Sequence, residues 1–164
     1  MEDEREWFCE RVRSCENSMY VLALGLLRSD ADAKDAMQEA LLRAYRNLDS
    51  LKNRNKFKSW IMRIVTNTSY DMLRQRREYA GLEDGTGIAV EEPAPGLLRR
   101  TVLWDAVQKL SVPYRTVVVL FYYEDFPVRE ISRITGDTPA TVRKQLSRAR
   151  EQLKQLLPRE VWED

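Results

Sequence analysis

A chain of 164 residues with 43% apolar and 32% charged side chains has the make-up of a folded, helix-rich protein of one ordinary domain or two small ones, not of a disordered segment. The formal net charge is only +1, so bulk charge alone points to no nucleic-acid or membrane partner. There is no histidine and there are only two cysteines, Cys9 and Cys15. This removes the commonest general base and metal ligand, and no catalytic residue, metal or cofactor is expected.

Apolar residues recur at spacings of three and four rather than two, so every element is predicted to be helical. Met1–Glu6 is acidic and no apolar run follows it directly, so no signal peptide is expected. The spacing predicts a first helix over Glu4–Ser14 and a second over Asn17–Arg28. Ser29-Asp30 offers an N-cap for a third helix, Asp32–Leu48, with the apolar stripe Ala33, Ala36, Met37, Ala40, Leu41, Ala44, Tyr45 and Leu48. A polar loop, Asp49–Asn55, leads to a fourth helix, Lys56–Arg77. The longest apolar stretches, Tyr20–Leu27 and Val117–Tyr123, are too short to cross a bilayer. The chain is therefore not expected to be membrane-embedded, and its low cysteine usage suits the cytoplasm.

Glu78–Gly96 carries four glycines, two prolines and five acids, and its apolar residues have no period. It is predicted to be a flexible acidic linker. The expected organisation is all-α, with two small helical domains at residues 1–77 and 98–164 and a linker at 78–97. Beyond the linker the spacing predicts helices over Leu98–Leu110, Pro113–Tyr123, Pro127–Thr135 and Pro139 to about Leu157, where Pro158 stops the last one. No further C-terminal domain is expected.

Charge is unevenly distributed. Ser50–Arg77 holds eight bases against one acid, and Pro139–Lys154 holds five bases against Glu151. The second patch coincides with a specific layout. The short helix at Val128–Thr135 meets Gly136, and Asp137-Thr138-Pro139 then caps a second helix. Ile131, Ile134, Val142 and Leu146 fall where two such helices must pack, and Gly136 falls where the turn needs positive φ. This is the layout of a helix-turn-helix. Thr141, Arg143, Lys144, Ser147 and Arg148 are left facing outward near the front of the second helix, placed to reach guanine edges or phosphates. The bland alternative is a helical hairpin with a solvated basic face.

Two further segments stand out. In Asp35–Leu48, the residues Asp35, Gln38, Glu39, Leu42 and Arg46 lie opposite or beside the apolar stripe, which alone describes a surface helix with charge pairs. In Phe57–Thr68, aromatics alternate with bases ahead of Arg74-Gln75-Arg76-Arg77, as suits a surface for unstacked bases and phosphates. Phe57 and Trp60 read as core; Lys58, Arg63 and Asn67 do not.

The D-x-x-Q-E helix, the F-x-x-W-x-x-x-I-x-x-N helix and the T-V-R helix, in this order and spacing, resemble a bacterial RNA polymerase sigma factor of the extracytoplasmic-function (ECF) group in the sigma-70 family. The resemblance covers about Met19–Arg77 and Leu98–Leu157, region 2 and region 4 of that family. It implies that Asp35, Gln38 and Glu39, with Leu42 and Arg46, dock on core RNA polymerase. It implies that the loop Leu51–Asn55 captures a base flipped from the −10 element. Leu51, Lys52 and Asn53 stand there, and asparagine tolerates the left-handed backbone in place of the usual glycine. It further implies −10 strand opening at Asn67 and phosphate contacts from Lys58, Arg63, Arg74, Arg76 and Arg77. Reading of the −35 element falls to Thr141, Arg143, Lys144, Ser147 and Arg148. The implied partners are core polymerase, promoter DNA and an anti-sigma factor; no small-molecule substrate is implied. The acidic linker is implied to thread near the RNA exit path.

Other readings compete with this one. A stand-alone helix-turn-helix regulator would need neither the D-x-x-Q-E helix nor the aromatic-basic segment. A helical adaptor would show no salt-sensitive DNA binding. An enzyme is disfavoured because paired-carboxylate, glycine-loop and metal signals are all lacking.

Overall fold

The computed structural model describes residues 2–80 and 101–159. Among them the regular elements are all helical: α1 (Glu2–Leu27), α2 (Asp30–Arg46), α3 (Phe57–Ala80), α4 (Val102–Gln108), α5 (Val112–Val118), α6 (Val128–Thr135) and α7 (Pro139–Leu156). Single 3₁₀ turns lie at Leu48–Ser50 and Arg54–Lys56, and a wide π turn at Val119–Tyr123 continues α5. The all-α expectation is met. Of the expected linker, Glu78–Ala80 extend α3 and the rest lies outside the described residues.

α1 is one helix of 26 residues where two were expected. The Ser14–Ser18 stretch contains weak helix formers but neither glycine nor proline. The Ser14 hydroxyl donates to the Arg11 carbonyl at 2.7 Å, within the helix, and Cys15 and Met19 are buried. Packing overrides the weak local propensity.

The second half of α1 organises the molecule. Met19 through Leu24, Leu26 and Leu27 are each at most 6% exposed, so the helix is buried on every side here. A helix apolar all round is stable only if it is covered all round. α2 and α3 cover part of it, and α5 with its π turn covers the rest. α2 approaches closely because its inner face is alanine: Ala33, Ala36, Ala40 and Ala44 are fully buried. Ser29 caps α2 by accepting from the Asp32 amide at 3.2 Å, as its position predicts.

The two halves therefore share a core and do not pack as separate units. Gly25 marks their closest approach: a Cβ there would lie 2.9 Å from Val119 Cγ2 and 3.4 Å from the Trp104 ring. Arg115 of α5 is 3% exposed. Its guanidinium donates to the carbonyls of Gly25 (3.0 Å), Leu26 (2.8 Å) and Leu110 (2.7 Å). Burial, with a smaller push from the Arg28 charge, lowers its pKa to about 10.

In the C-terminal half, Thr101 caps α4 by accepting from the Trp104 amide at 3.0 Å. The helix expected over Pro113–Tyr123 is present, but its last turn widens, with the Glu124 amide donating to the Val119 carbonyl at 3.1 Å. Gly136 ends α6 at φ 84, in the left-handed region. Its missing Cβ would meet only the Arg63 guanidinium, at 3.7 Å, so a side chain there has room and its cost is conformational. Gly136→Ala is accordingly expected to destabilise the chain by about 1 kcal/mol in urea unfolding. An unchanged midpoint would show that the turn relaxes instead.

Candidate nucleic-acid interface

α2 presents two faces of opposite character. The alanines are buried, while Asp35, Gln38, Glu39, Leu42 and Arg46 are all exposed. Leu42 is 51% exposed and Tyr45, on the same flank, 43%. Glu39 pairs with Arg43 at 3.3 Å, one turn along. The five residues singled out from the sequence thus form one contiguous strip, acidic at its start, with Leu42 and then Arg46 beyond. None of the five is part of the buried core, which suits a protein partner.

The second surface is built on α3 and the loop before it. Phe57 is core, stacked edge-on against Trp7 and Phe8. Trp60 was read as core from the sequence, and the structure corrects this in part. Its ring packs on Phe57 but is only half-buried, and its indole N–H donates to Ser50 Oγ at 3.1 Å. That bond pins the ring between two clefts. One, of about 390 Å³, is lined by Arg43, Asn47, Ser50, Trp60, Arg63, Ile64 and Asn67. The other, of about 340 Å³, is lined by the loop residues Leu51, Lys52 and Asn53 together with Lys56, Trp60 and Arg63, and by Arg133 from α6. A partly exposed indole flanked by an arginine and an asparagine has the chemistry that can stack and hold an unpaired nucleobase. Sequence reading missed Asn47, Ser50 and the open face of Trp60. The alternation of aromatics and bases was the available signal.

Asn53 does not use the left-handed backbone expected of it. It is extended (φ −128, ψ 112), and its side chain accepts from the Asn55 amide at 3.0 Å, capping the 3₁₀ turn at Arg54–Lys56. The expected phosphate-holding bases divide into groups. Arg74 is exposed and pairs with Asp71 within α3, whereas Arg76 pairs with Asp32 of α2 and donates to the Leu27 carbonyl at 3.4 Å, so Arg76 holds the helices together. Lys58 lies over the Phe126 ring at 5.5 Å, and Arg63 donates to the Arg133 carbonyl. Lys52, Asn67 and Arg77 are exposed.

The third surface is the helix-turn-helix. Ile131, Ile134, Val142 and Leu146 are buried together, as their spacing predicts. Thr138 caps α7 by accepting from the Thr141 amide at 3.2 Å, with Pro139 in the first turn. Thr141, Arg143, Lys144, Ser147 and Arg148 are all exposed. Thr141, Lys144 and Arg148, at helical spacing, line a cleft of about 380 Å³ with Ser111, Pro113, Tyr114 and Gln145. Sequence reading did not include Ser111 or Tyr114, which the fold brings beside α7 from the start of α5. Arg150 turns the other way, its Nε donating to Tyr122 Oη at 2.5 Å.

The geometry of three such surfaces on one helical chain matches known proteins. Residues 12–79 match the Sigma-70 region 2 family and residues 100–153 the Sigma-70, region 4 family. The ECF RNA polymerase sigma factor SigW of Bacillus subtilis (strain 168) is 31% identical over 94% of this chain and 90% of its own length. The RNA polymerase sigma factor SigV of the same organism is 28% identical over 88% and 87%. Among solved structures, the sigma factor RpoE in complex with the anti-sigma factor NepR from Bartonella quintana is similar, with a TM-score of 0.77. It is 25% identical and covers 91% of this chain and 95% of that one. CnrH in complex with the cytosolic domain of CnrY shares the fold, with a TM-score of 0.67 at 22% identity over 91% and 86%. The chain belongs to the extracytoplasmic-function group of sigma-70 RNA polymerase sigma factors, and its function is promoter-directed initiation of transcription. Among the described residues no helix is long and apolar enough to cross a membrane.

One ion pair links the second and third surfaces: Lys56 Nζ lies 3.1 Å from Glu130 Oε1, and Arg133 lies 2.9 Å from the same oxygen. Burial pushes the Glu130 carboxyl upward, but the hydrogen bonds from Lys56 and Ser59, with the charges of Lys56 and Arg133, outweigh it. The net effect is a pKa below the ordinary 4.5. A depressed carboxyl contributes stability above its unfolded value that is lost as the pH falls through the folded one. Stability measured by urea unfolding should thus drop as the pH is lowered through 4.5 and below, and Glu130→Gln should flatten that drop. An identical slope in the variant would remove Glu130 from the titration.

Proposed function

We propose that the three surfaces divide the work of initiation. The exposed strip of α2, namely Asp35, Gln38, Glu39, Leu42 and Arg46, docks on core polymerase. The α3 face takes the −10 element: Asn67, Arg63 and Trp60 receive an unstacked base, Leu51, Lys52 and Asn53 shape the neighbouring cleft, and Lys58 and Arg77 meet phosphates. Arg74, exposed on the same helix, joins them, while Arg76 acts mainly by bracing the helices. On α7, Thr141, Arg143, Lys144, Ser147 and Arg148 read the −35 element.

The observation that carries this reading is the cleft shared by Trp60, Arg63 and Asn67, which places an aromatic face, a cation and an amide around one base-sized space. Melting follows from capture. A base leaving the duplex loses stacking, and the indole face offsets that loss. No covalent step belongs to this chain; it acts by binding. The work takes place where the polymerase is, in the cytoplasm. An anti-sigma factor is a further expected partner, since the similar RpoE structure is a complex with the anti-sigma factor NepR.

The test is run-off transcription with purified bacterial core polymerase on a genomic fragment library, with and without this chain. Discrete run-off products should require the chain; their absence would contradict the reading. On a promoter so found, Asn67→Ala should reduce permanganate reactivity of the −10 thymines more than it reduces closed-complex binding. Arg143→Ala or Lys144→Ala should cost about 1–3 kcal/mol of −35 discrimination wherever the side chain contacts a base. An unaltered promoter preference would remove that residue from the readout set.

A further inference from the structure

The loop that leads into α3 is held at both ends, and each hold ends on a tryptophan. At the first end, the 3₁₀ turn at Leu48–Ser50 is fixed through Ser50. Its hydroxyl donates to the Asn47 carbonyl at 2.7 Å and accepts from the Trp60 indole at 3.1 Å. At the second end, the Asn53 side chain accepts from the Asn55 amide at 3.0 Å, and the Asn53 carbonyl accepts from the Lys56 amide at 2.9 Å. The outward tie of this second turn is Arg54, whose guanidinium lies over the Trp7 ring of α1, 4.3 Å from its centroid. Trp7 in turn stands edge-on against Phe57, the first residue of α3, with ring centroids 5.5 Å apart. Phe57 is 3% exposed, so the stack is seated on the core. Arg11, one turn along α1, approaches the same ring at 5.8 Å. Between the two ties stand Leu51, Lys52 and Asn53, which line the cleft beside Trp60.

A guanidinium is planar and weakly hydrated, so it stacks on an aromatic face more readily than an ammonium does. Such a contact at an exposed site biases a local equilibrium by a factor of about two to five. That is little for a whole fold and much for so short a loop, because exposed turns open locally at low free energy. Trp7 lies before residues 12–79, the stretch that matches the Sigma-70 region 2 family, so the contact stands outside the matched pattern.

We propose that Trp7 is a positioning residue for −10 recognition: through its stack on Arg54 it sets where Leu51, Lys52 and Asn53 stand when a base enters the cleft. This rests on the assignment of that loop to the −10 element. Arg54 is the intermediary and not a phosphate ligand. Apparent affinity for a captured base scales with the fraction of chains whose loop already stands in the capturing position. Loosening the stack lowers that fraction and leaves the phosphate contacts of Lys58 and Arg77 as they are. The first turns of α1 thereby enter the promoter preference without touching DNA.

The variants are Trp7→Leu, Arg54→Met and the two together, with Trp7→Phe and Arg54→Lys as the conservative changes. Arg54 is exposed, so Arg54→Met keeps the fold even if Trp7→Leu weakens it at Phe57. Hydrogen exchange of the free full-length chain reports the loop. The Asn55 and Lys56 amides, both hydrogen-bonded within the second turn, should exchange about two- to five-fold faster in either single variant. The double variant should add nothing further, and Trp7→Phe should restore the original rate. Fluorescence anisotropy reports the consequence, using holoenzyme assembled with bacterial core polymerase and single-stranded oligonucleotides of a −10 element found by run-off transcription. The penalty for an abasic site at the captured position should shrink by about two- to five-fold, with affinity for the abasic oligonucleotide unchanged. Exchange rates unchanged in both single variants overturn the proposal at the loop. Faster exchange with the full abasic penalty kept leaves a structural tie only and overturns the positioning role. A uniform loss across all oligonucleotides in Arg54→Met, rescued by Arg54→Lys, makes Arg54 a phosphate ligand and overturns it too. Unmodified holoenzyme that binds intact and abasic oligonucleotides alike removes the capture reading itself, and the positioning role with it, whatever the exchange rates show.

Discussion

The arrangement of the whole chain depends on how the second half of α1 is covered. Met19–Leu27 is apolar on every side, and water on any of those sides would cost the burial of several large side chains, each worth about 1.5–3 kcal/mol. α2 and α3 cannot cover it alone. The remaining side takes α5 and its π turn, and the end of the helix takes the Arg115 guanidinium. Once α5 is placed, α6 and α7 follow, because Gly136 and the Thr138 cap set the angle between them. The position of the DNA-facing helices is thus a consequence of a burial problem in a helix that touches no DNA.

The same burial divides α3 into two sides. On α3, residues on the inner side make the core, Arg76 ties the helix to α1 and α2, and Lys58, Arg63 and Asn67 lie on the outer side. α6 and the segment before it reach that outer side through Glu130, the Arg133 carbonyl and Phe126. The strip on α2 and the outer residues of α7 stay exposed.

Much of this was legible in the sequence. The helix-turn-helix was legible because its parts are local: two apolar pairs at helical spacing, a glycine at the positive-φ turn and a threonine-proline start. The α2 strip was legible because alanines on one face leave the other face without a structural task. Three features were not. The continuity of α1 through Ser14–Ser18 depends on Cys15 and Met19 being buried, which propensity does not show. The open face of Trp60 depends on a hydrogen bond to Ser50, ten residues away and across a loop. The joining of the two halves hid in plain view. An unbroken apolar run with a single glycine, Met19–Leu27, demands a second covering layer, whereas the acidic linker between the two domains carries no sign of the contact between them.

The whole arrangement depends on the two halves sharing one core around α1. Lys56 Nζ and Glu130 Oε1, 3.1 Å apart across the two halves, make that directly measurable by zero-length carbodiimide cross-linking with mass spectrometry. A Lys56–Glu130 cross-link is expected in the free chain. A free chain that gives no such cross-link would contradict the shared core.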